Sequence, residues 1–303
     1  MSLIRKPQEL EVPQKIKALI YGQSGMGKST LALSAPKPLL LDFDGGIHRV
    51  NYEHQVDTVQ IRTWNEALQA LREDLSAYET IVVDTIGKMM DYIIDYSCNG
   101  RTPMINDWTK INAEFSNFTR SVSSMNKHVI YVAHRDIRKE GDDNVFVPSL
   151  RERNYTSIVT ELDLMGYLVM VGDKRTITFN PTNKNDGKNT CNLPGVMNIP
   201  VCVDKAGNAL QNTFFQDQII TTYTQNFKKR LEEQKRYNET IAGIKDAVDV
   251  IVDSDMANDF ADNIKNWQHI GNSLMVARKL FSAKVAELGL VLNKEKRYEN
   301  PAA

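Results

Sequence analysis

The feature that most constrains this chain is a glycine-rich octapeptide, GQSGMGKS, at residues 22–29. It matches the pattern G-x-x-x-x-G-K-[ST] in full, and it lies between a strand-like apolar run, Ile16–Tyr21, and a helix-favouring stretch, Lys28–Ser34. Glycines let the backbone curl so that successive N–H groups point at one phosphate group. Lys28 adds a positive charge for the β- and γ-phosphate oxygens, and Ser29 adds a hydroxyl for Mg²⁺. The pattern therefore predicts a site for ATP with Mg²⁺. The expected nucleotide contacts are Gly22, Gln23, Ser24, Gly25, Met26, Gly27, Lys28, Ser29 and Thr30.

A carboxylate for the metal is expected from the segment TIVVDT at residues 80–85. Its four apolar or β-branched residues predict a buried strand, and Asp84 stands at the carboxyl end of that strand. Strand-end aspartates of this kind hold Mg²⁺ in P-loop proteins, although an aspartate here also caps helices. We therefore predict that Asp84 and Ser29 bind the metal.

Two further polar residues follow predicted strands at the edge where nucleotides bind in open α/β sheets. Asp44 comes after the apolar run in LLLDFDGG, and we expect it to orient the attacking water, although a turn aspartate beside Gly45 is an equal alternative. His134 follows Val129–Val132, where it could contact the γ-phosphate or serve as a hydrogen-bonded structural residue. The predicted catalytic set is Lys28, Asp44, Asp84 and His134.

The order of apolar runs predicts an α/β fold. Short buried runs alternate with helical stretches through the first two thirds of the chain, as in a mostly parallel sheet with crossover helices. Leu164–Val171 and Thr176–Phe179 flank a turn and predict a β-hairpin. From about Thr221 the chain is helical in character, so we divide it into a core of residues 1–215 and a helical region of residues 216–303.

Composition excludes several classes of protein. The net charge of −1 excludes a uniformly basic nucleic-acid binder but leaves room for a local basic patch. The three cysteines are widely spaced and predict neither a disulfide framework nor a zinc site, which favours a reducing, cytoplasmic compartment. We expect no signal peptide and no membrane-spanning helix, because no long apolar run is present.

Together these segments resemble the RecA-like core ATPases carried by bacteriophages, which are linked to homologous recombination or single-strand annealing. The resemblance rests on KALIYGQSGMGKST, LLLDFDGG, TIVVDT, Asp107-Trp108, HVIYVAHRD, Pro148 and Glu161-Leu162-Asp163, and it covers about residues 14–200. It implies a RecA-like P-loop core and a DNA-stimulated ATPase acting on single-stranded DNA within the bacterial host cell. RecA-like recombinases carry a glutamate where this chain has Asp44, so the shorter carboxylate is a departure.

The resemblance also implies where partners bind. A mobile DNA-contacting loop would span Arg135–Tyr155, although its basic residues are interspersed with acidic ones and a solvated loop is an equal alternative. In RecA-like assemblies, basic residues of one subunit reach the nucleotide of its neighbour, and the hairpin residues Lys174 and Arg175 are the local match. The expected partners are single-stranded DNA, a single-strand-binding protein and further copies of the chain in a filament or ring. The candidate DNA contacts are Arg135, Arg138, Lys139, Arg151 and Arg153.

Three alternatives stay open from the sequence. The chain could be a P-loop phosphotransferase acting on a small molecule, although it lacks an arginine-rich lid segment. It could also be an oligomeric motor or loader acting on protein, or a non-catalytic nucleotide switch.

Overall fold

The computed structural model describes residue 4 and residues 14–300, and these form two compact units that divide between Asn226 and Phe227. The sequence placed this boundary near residue 215. A π-helical turn, Phe215–Ile220, explains the later division, because Phe215 and Ile219 are fully buried in the core of the first unit.

A single ten-stranded sheet forms the centre of the first unit, within residues 14–226. Its strands are β1 (Lys17–Gly22), β2 (Pro38–Asp42), β3 (Thr58–Gln60), β4 (Thr80–Asp84), β5 (His128–Glu140), β6 (Asp143–Pro148), β7 (Leu164–Val171), β8 (Lys174–Thr178), β9 (Lys188–Asn189) and β10 (Val196–Asn198). The order across the sheet is β10-β8-β7-β1-β5-β4-β2-β3, with β6 paired to β5 and β9 paired to β7. The strands from β7 to β3 are parallel to one another. The mixed α/β architecture with a mostly parallel sheet is therefore confirmed.

Helices cover both faces of this sheet, because alternate residues of each buried strand face opposite sides. They are α1 (Lys28–Ala32), α2 (Trp64–Ala70), α3 (Ile86–Cys98), α4 (Asp107–Ser123) and α5 (Glu152–Glu161). On β1, Leu19 and Tyr21 join a core that includes residues of α2 to α5, whereas Ala18 and Ile20 join the core beside α1. Both faces of β1 are fully buried, which fixes the position of the glycine-rich loop that follows it.

One predicted segment is wrong. The stretch Arg135–Tyr155, predicted as a mobile loop, is ordered: β5 continues to Glu140 and returns through a tight turn into antiparallel β6, and α5 follows. Gly141 has a φ of 63°, which a two-residue turn favours, and Val145 and Val147 are buried on the returning strand. The apolar alternation of β6 therefore holds the hairpin against the sheet.

The second unit is helical, as predicted for this region. It contains the later part of α6 (Thr221–Asp249), then α7 (Ser254–Asn263) and α8 (Ser273–Glu287), with a small hairpin of β11 (Val291–Leu292) and β12 (Tyr298–Glu299). Its separate core includes Ile244, Val248, Phe260 and Phe281. No helix in residues 14–300 is long and apolar enough to cross a membrane.

Candidate functional site

The octapeptide forms a tight loop between β1 and α1. Gly25 and Gly27 have φ values of 78° and 74°, in the left-handed region that glycine tolerates best. Gly22 is needed for a different reason: a Cβ there would lie 2.7 Å from the Leu168 carbonyl oxygen on β7. The loop glycines are thus required by the backbone itself, as the sequence pattern predicted.

Lys28 lies buried in the loop, where its Nζ donates a hydrogen bond to the Gln23 carbonyl oxygen at 2.9 Å. Burial lowers the pKa of Lys28, and the nearby carboxylates of Asp84 and Asp44 oppose that shift. The ammonium is therefore held inside the loop by one carbonyl, and no carboxylate of the described residues forms a direct ion pair with it. A phosphate group would supply that direct contact.

Asp84 ends β4 and is 7% exposed. Burial raises the pKa of Asp84 to about 6. A hydrogen bond with the Ser29 side chain lowers this pKa, whereas the negative charges of Asp44 and Asp42 raise it further. Ser29 and Asp84, the two residues predicted to bind the metal, therefore lie close together in the lining of one cavity. A buried carboxylate with a raised pKa is typical of a site that is completed by a cation.

Asp44 and His134 meet beside the loop. The His134 Nε2 lies 3.7 Å from the Asp44 Oδ2, and its Nδ1 lies 3.2 Å from the Ser24 hydroxyl. The cause is sheet order, because β5 lies between β1 and β4 and pairs Gly22 with His134. His134 therefore bridges the glycine-rich loop and Asp44.

A cavity of about 450 Å³ connects these groups. Its lining includes Lys28, Ser29, Asp44, Asp84 and His134, together with Ser24, Gly25, Gly27 and Thr30. The other predicted contacts, Gly22, Gln23 and Met26, belong to the loop but do not line this cavity. The four predicted catalytic side chains, which come from the loop, the turn after β2, the end of β4 and the middle of β5, thus surround one space.

The side chains in this cavity fit Mg²⁺. No group of three or more His, Cys, Asp or Glu side chains that could hold a metal occurs within the described residues. Mg²⁺ does not require such a group, because it binds one or two carboxylates, water and the phosphates of its substrate. Ser29 and Asp84 offer the hard oxygen atoms that this ion prefers.

Two neighbouring residues were not predicted from the sequence. The Thr85 hydroxyl donates to the Asp44 Oδ1 at 3.4 Å, and Arg49 lines the cavity from the loop after Asp44. Thr85 directly follows Asp84, so its position next to a strand end was the available signal. Arg49 had no motif to mark it.

Arg175 also lies close to the loop of its own chain. A Cβ placed on Gly27 would lie 2.4 Å from the Arg175 Nη1, and the Nη2 of the same guanidinium donates to the Pro200 carbonyl oxygen at 3.3 Å. Lys174, its neighbour on β8, is exposed. Contact with a neighbouring subunit's nucleotide stays a prediction for both residues.

The five candidate DNA contacts differ in their surroundings. The Arg135 guanidinium lies 4.4 Å from the Phe146 ring centroid, and the Arg151 guanidinium lies 3.7 Å from that of Trp108. Arg138 forms ion pairs with Glu140 at 2.6 Å and Asp186 at 3.1 Å. The other two, Lys139 and Arg153, are exposed.

Comparison with known families agrees with this geometry. A family model described as an AAA domain matches residues 14–191, which is more than half of the chain. The chain belongs to the AAA domain family. The matched part of the AAA domain begins just before β1 and ends after β9, so it contains the loop, Asp44, Asp84 and His134. Membership of this family supports a nucleotide-binding, P-loop ATPase-type domain. No curated protein matches the sequence.

Proposed function

We propose that this AAA domain protein hydrolyses ATP with Mg²⁺ and couples hydrolysis to single-stranded DNA, as a RecA-like recombination protein of phage origin. The observation that carries the proposal is the position of β5. His134 lies on this strand beside the loop and Asp44, and the same strand continues as far as Glu140 in the hairpin. One continuous element therefore joins the nucleotide site to the surface we expect to contact DNA.

In the hydrolytic step, the loop amides and Lys28 hold the phosphate oxygens of the substrate. Asp44 orients the water for in-line attack on the γ-phosphorus, and Thr85 and His134 fix that carboxylate. The oxygen of that water joins the phosphorus, its proton leaves through Asp44 to solvent, and ADP departs with the electrons of the broken bond. When bound by Ser29 and Asp84, Mg²⁺ neutralises charge on the phosphate oxygens.

Coupling to DNA is supported by contacts between β1, which precedes the loop, and the hairpin of β5 and β6. The Tyr21 hydroxyl, one residue before the loop, donates to the Phe146 and Asp186 carbonyl oxygens at 2.9 and 2.6 Å. Asp186 in turn holds Arg138 on β5. A movement of the loop when γ-phosphate binds would reach the hairpin through these contacts, and a movement of His134 would reach it along β5 itself.

The DNA contact of one subunit is expected to be weak. Residues 135–155 carry five basic and five acidic side chains, and Arg138 is already paired with two carboxylates. Two or three phosphate contacts give a salt slope of about −1.4 to −2.1 on single strands. Useful affinity then requires several copies side by side, in a filament or ring, or help from a single-strand-binding protein. Arg175 and Lys174 are the candidates for contacts between copies.

A second candidate function is phosphate transfer to a small acceptor. It is favoured by a groove of about 720 Å³ that shares Asp44, Thr85 and His134 with the nucleotide cavity and continues past Ser149 and Arg151. An acceptor there would lie beside the same catalytic groups.

One experiment separates the two functions. The purified chain is incubated with Mg·ATP, with and without single-stranded DNA, and free phosphate is measured. The proposal predicts phosphate release that rises with DNA. Release that is unaffected by DNA at all concentrations would contradict the DNA-coupled function, and phosphate found only on an added acceptor would favour transfer.

A further inference from the structure

The nucleotide cavity contains a cationic side chain that no motif marks. Arg49 ends a short 3₁₀ turn, Ile47–Arg49, five residues after Asp44. Its side chain lines the same cavity as Lys28 and Asp84, and the residue is exposed to solvent. It therefore stands where a phosphate chain bound by the loop would pass.

The turn that carries Arg49 is held firmly. The carboxylate of Asp42, which is 2% exposed, accepts hydrogen bonds from the backbone N–H groups of Gly46 at 2.9 Å and Ile47 at 3.1 Å. Ile47 and Val50, on either side of the two exposed residues of the turn, are buried in the core. Arg49 is thus displayed from an anchored backbone, and only its long side chain is free to adjust.

The guanidinium of Arg49 has no hydrogen bond or ion pair within residues 14–300. Besides His134, only Arg49 and Lys28 can carry positive charge among the described residues lining the cavity, whereas Asp44 and Asp84 add negative charge beside the phosphates. A planar guanidinium binds phosphate oxygens in a bidentate manner, and an unpaired one need not break another contact to reach them.

From this geometry we infer that Arg49 binds the phosphate chain of the nucleotide in its own subunit. This inference rests on the proposed nucleotide function and adds a residue to it. The guanidinium donates two N–H groups to phosphate oxygens within the cavity that it lines together with the glycine-rich loop. It offsets the negative charge that Asp44 and Asp84 bring close to the substrate.

The test compares Arg49→Gln, Arg49→Lys and the matched control His48→Ala, which changes the neighbouring exposed residue of the same turn. Binding of Mg·ATP and Mg·ADP is measured by calorimetry, and unfolding is measured without nucleotide. We expect Arg49→Gln to weaken both affinities about tenfold, a loss typical of one charge-assisted pair, with Arg49→Lys falling between it and the parent. We expect His48→Ala to match the parent, and all unfolding temperatures to agree within experimental error.

The outcomes separate the role of Arg49 from the proposed nucleotide function. Binding by Arg49→Gln within twofold of the parent, while Lys28→Ala fails to bind, would overturn the role of Arg49 and leave the nucleotide function intact. Weakening in Arg49→Gln that Arg49→Lys does not restore at all would also overturn it, because charge would not be the cause. A parent chain that binds neither nucleotide would refute the proposed function itself.

Discussion

Replacing Asp84 by asparagine should stabilise the nucleotide-free protein while it impairs Mg²⁺-dependent binding. Burial raises the pKa of Asp84 from 3.8 to about 6, so the charged carboxylate is less stable in the folded than in the unfolded chain. A shift of about two units corresponds to about 3 kcal/mol. Lys28 loses an attraction in the variant, so we expect a net gain of about 1–2 kcal/mol at pH 8.

The size of the effect depends on pH. Because the folded pKa is the higher one, proton-linked stabilisation of the parent is complete below about pH 4 and is lost as pH rises through about 6. The gain from Asp84→Asn should therefore be present at pH 8 and nearly absent at pH 4.5. At each pH it is measured by urea unfolding in EDTA, so that no metal stabilises the parent.

Asp42→Asn is the matched control for this experiment. Asp42 is equally buried and lies on the adjacent strand, but its carboxylate accepts two backbone hydrogen bonds. An amide NH₂ cannot accept the second one, so this variant should lose about 1–3 kcal/mol at pH 8. Two results would refute the inference that burial destabilises the charged Asp84 carboxylate. One is an Asp84→Asn variant less stable than the parent at pH 8, and the other is an equal gain in the free energy of unfolding at both pH values.

Four other substitutions test separate parts of the mechanism. Lys28→Ala should lose nearly all ATP turnover yet unfold cooperatively, because only the charge facing the phosphates is removed; turnover at the parent rate would exclude the assigned site. Asp44→Asn should bind Mg·ATP within a fewfold of the parent but lose hydrolysis, since water orientation matters only in the transition state; a matching loss of affinity would contradict this role. His134→Ala should bind ATP and DNA but lose their mutual enhancement, which DNA titrations with and without an ATP analogue would detect; preserved coupling would exclude His134 as the link. His128, buried and hydrogen-bonded to the Ile16 N–H, has its pKa lowered from 6.5 to about 4 by burial, with Lys15 adding to the effect. The stabilisation that neutral His128 contributes should therefore be lost as pH falls from about 6.5 to 4, and the whole loss in free energy of unfolding should be about 3 kcal/mol. His128→Asn should flatten that part of the plot of unfolding free energy against pH.

The sequence predicted the nucleotide side of the site better than the surface beyond it. The loop is marked by residue types that the backbone itself requires, such as Gly25 and Gly27 at positive φ, so a short pattern suffices. Asp84 and His134 could be placed because each follows a short apolar strand, and parallel strands bring their carboxyl ends to one edge. Their contacts with Ser29, Ser24 and Asp44 then follow from strand order.

The hairpin after His134 was missed for a physical reason. The part of its first strand after His134 is rich in charged residues and resembles a solvated loop, and on the second strand only Val145, Val147 and Pro148 are buried. The second strand is also held by a distant segment of the chain, through a hydrogen bond from the Phe146 N–H to the Lys184 carbonyl oxygen, and no local pattern shows that contact. Arg49 was missed because its position depends on how Asp42 folds the turn, which no local pattern records.

The most direct test of the central claim is the affinity for single-stranded DNA in three nucleotide states. The dissociation constant of a labelled oligonucleotide is measured with an ATP analogue, with ADP and with no nucleotide, all at one salt concentration. Coupling through His134 and β5 predicts the tightest binding with the ATP analogue, and linkage requires DNA to tighten analogue binding by the same factor. Equal DNA affinity in all three states would contradict the proposed function.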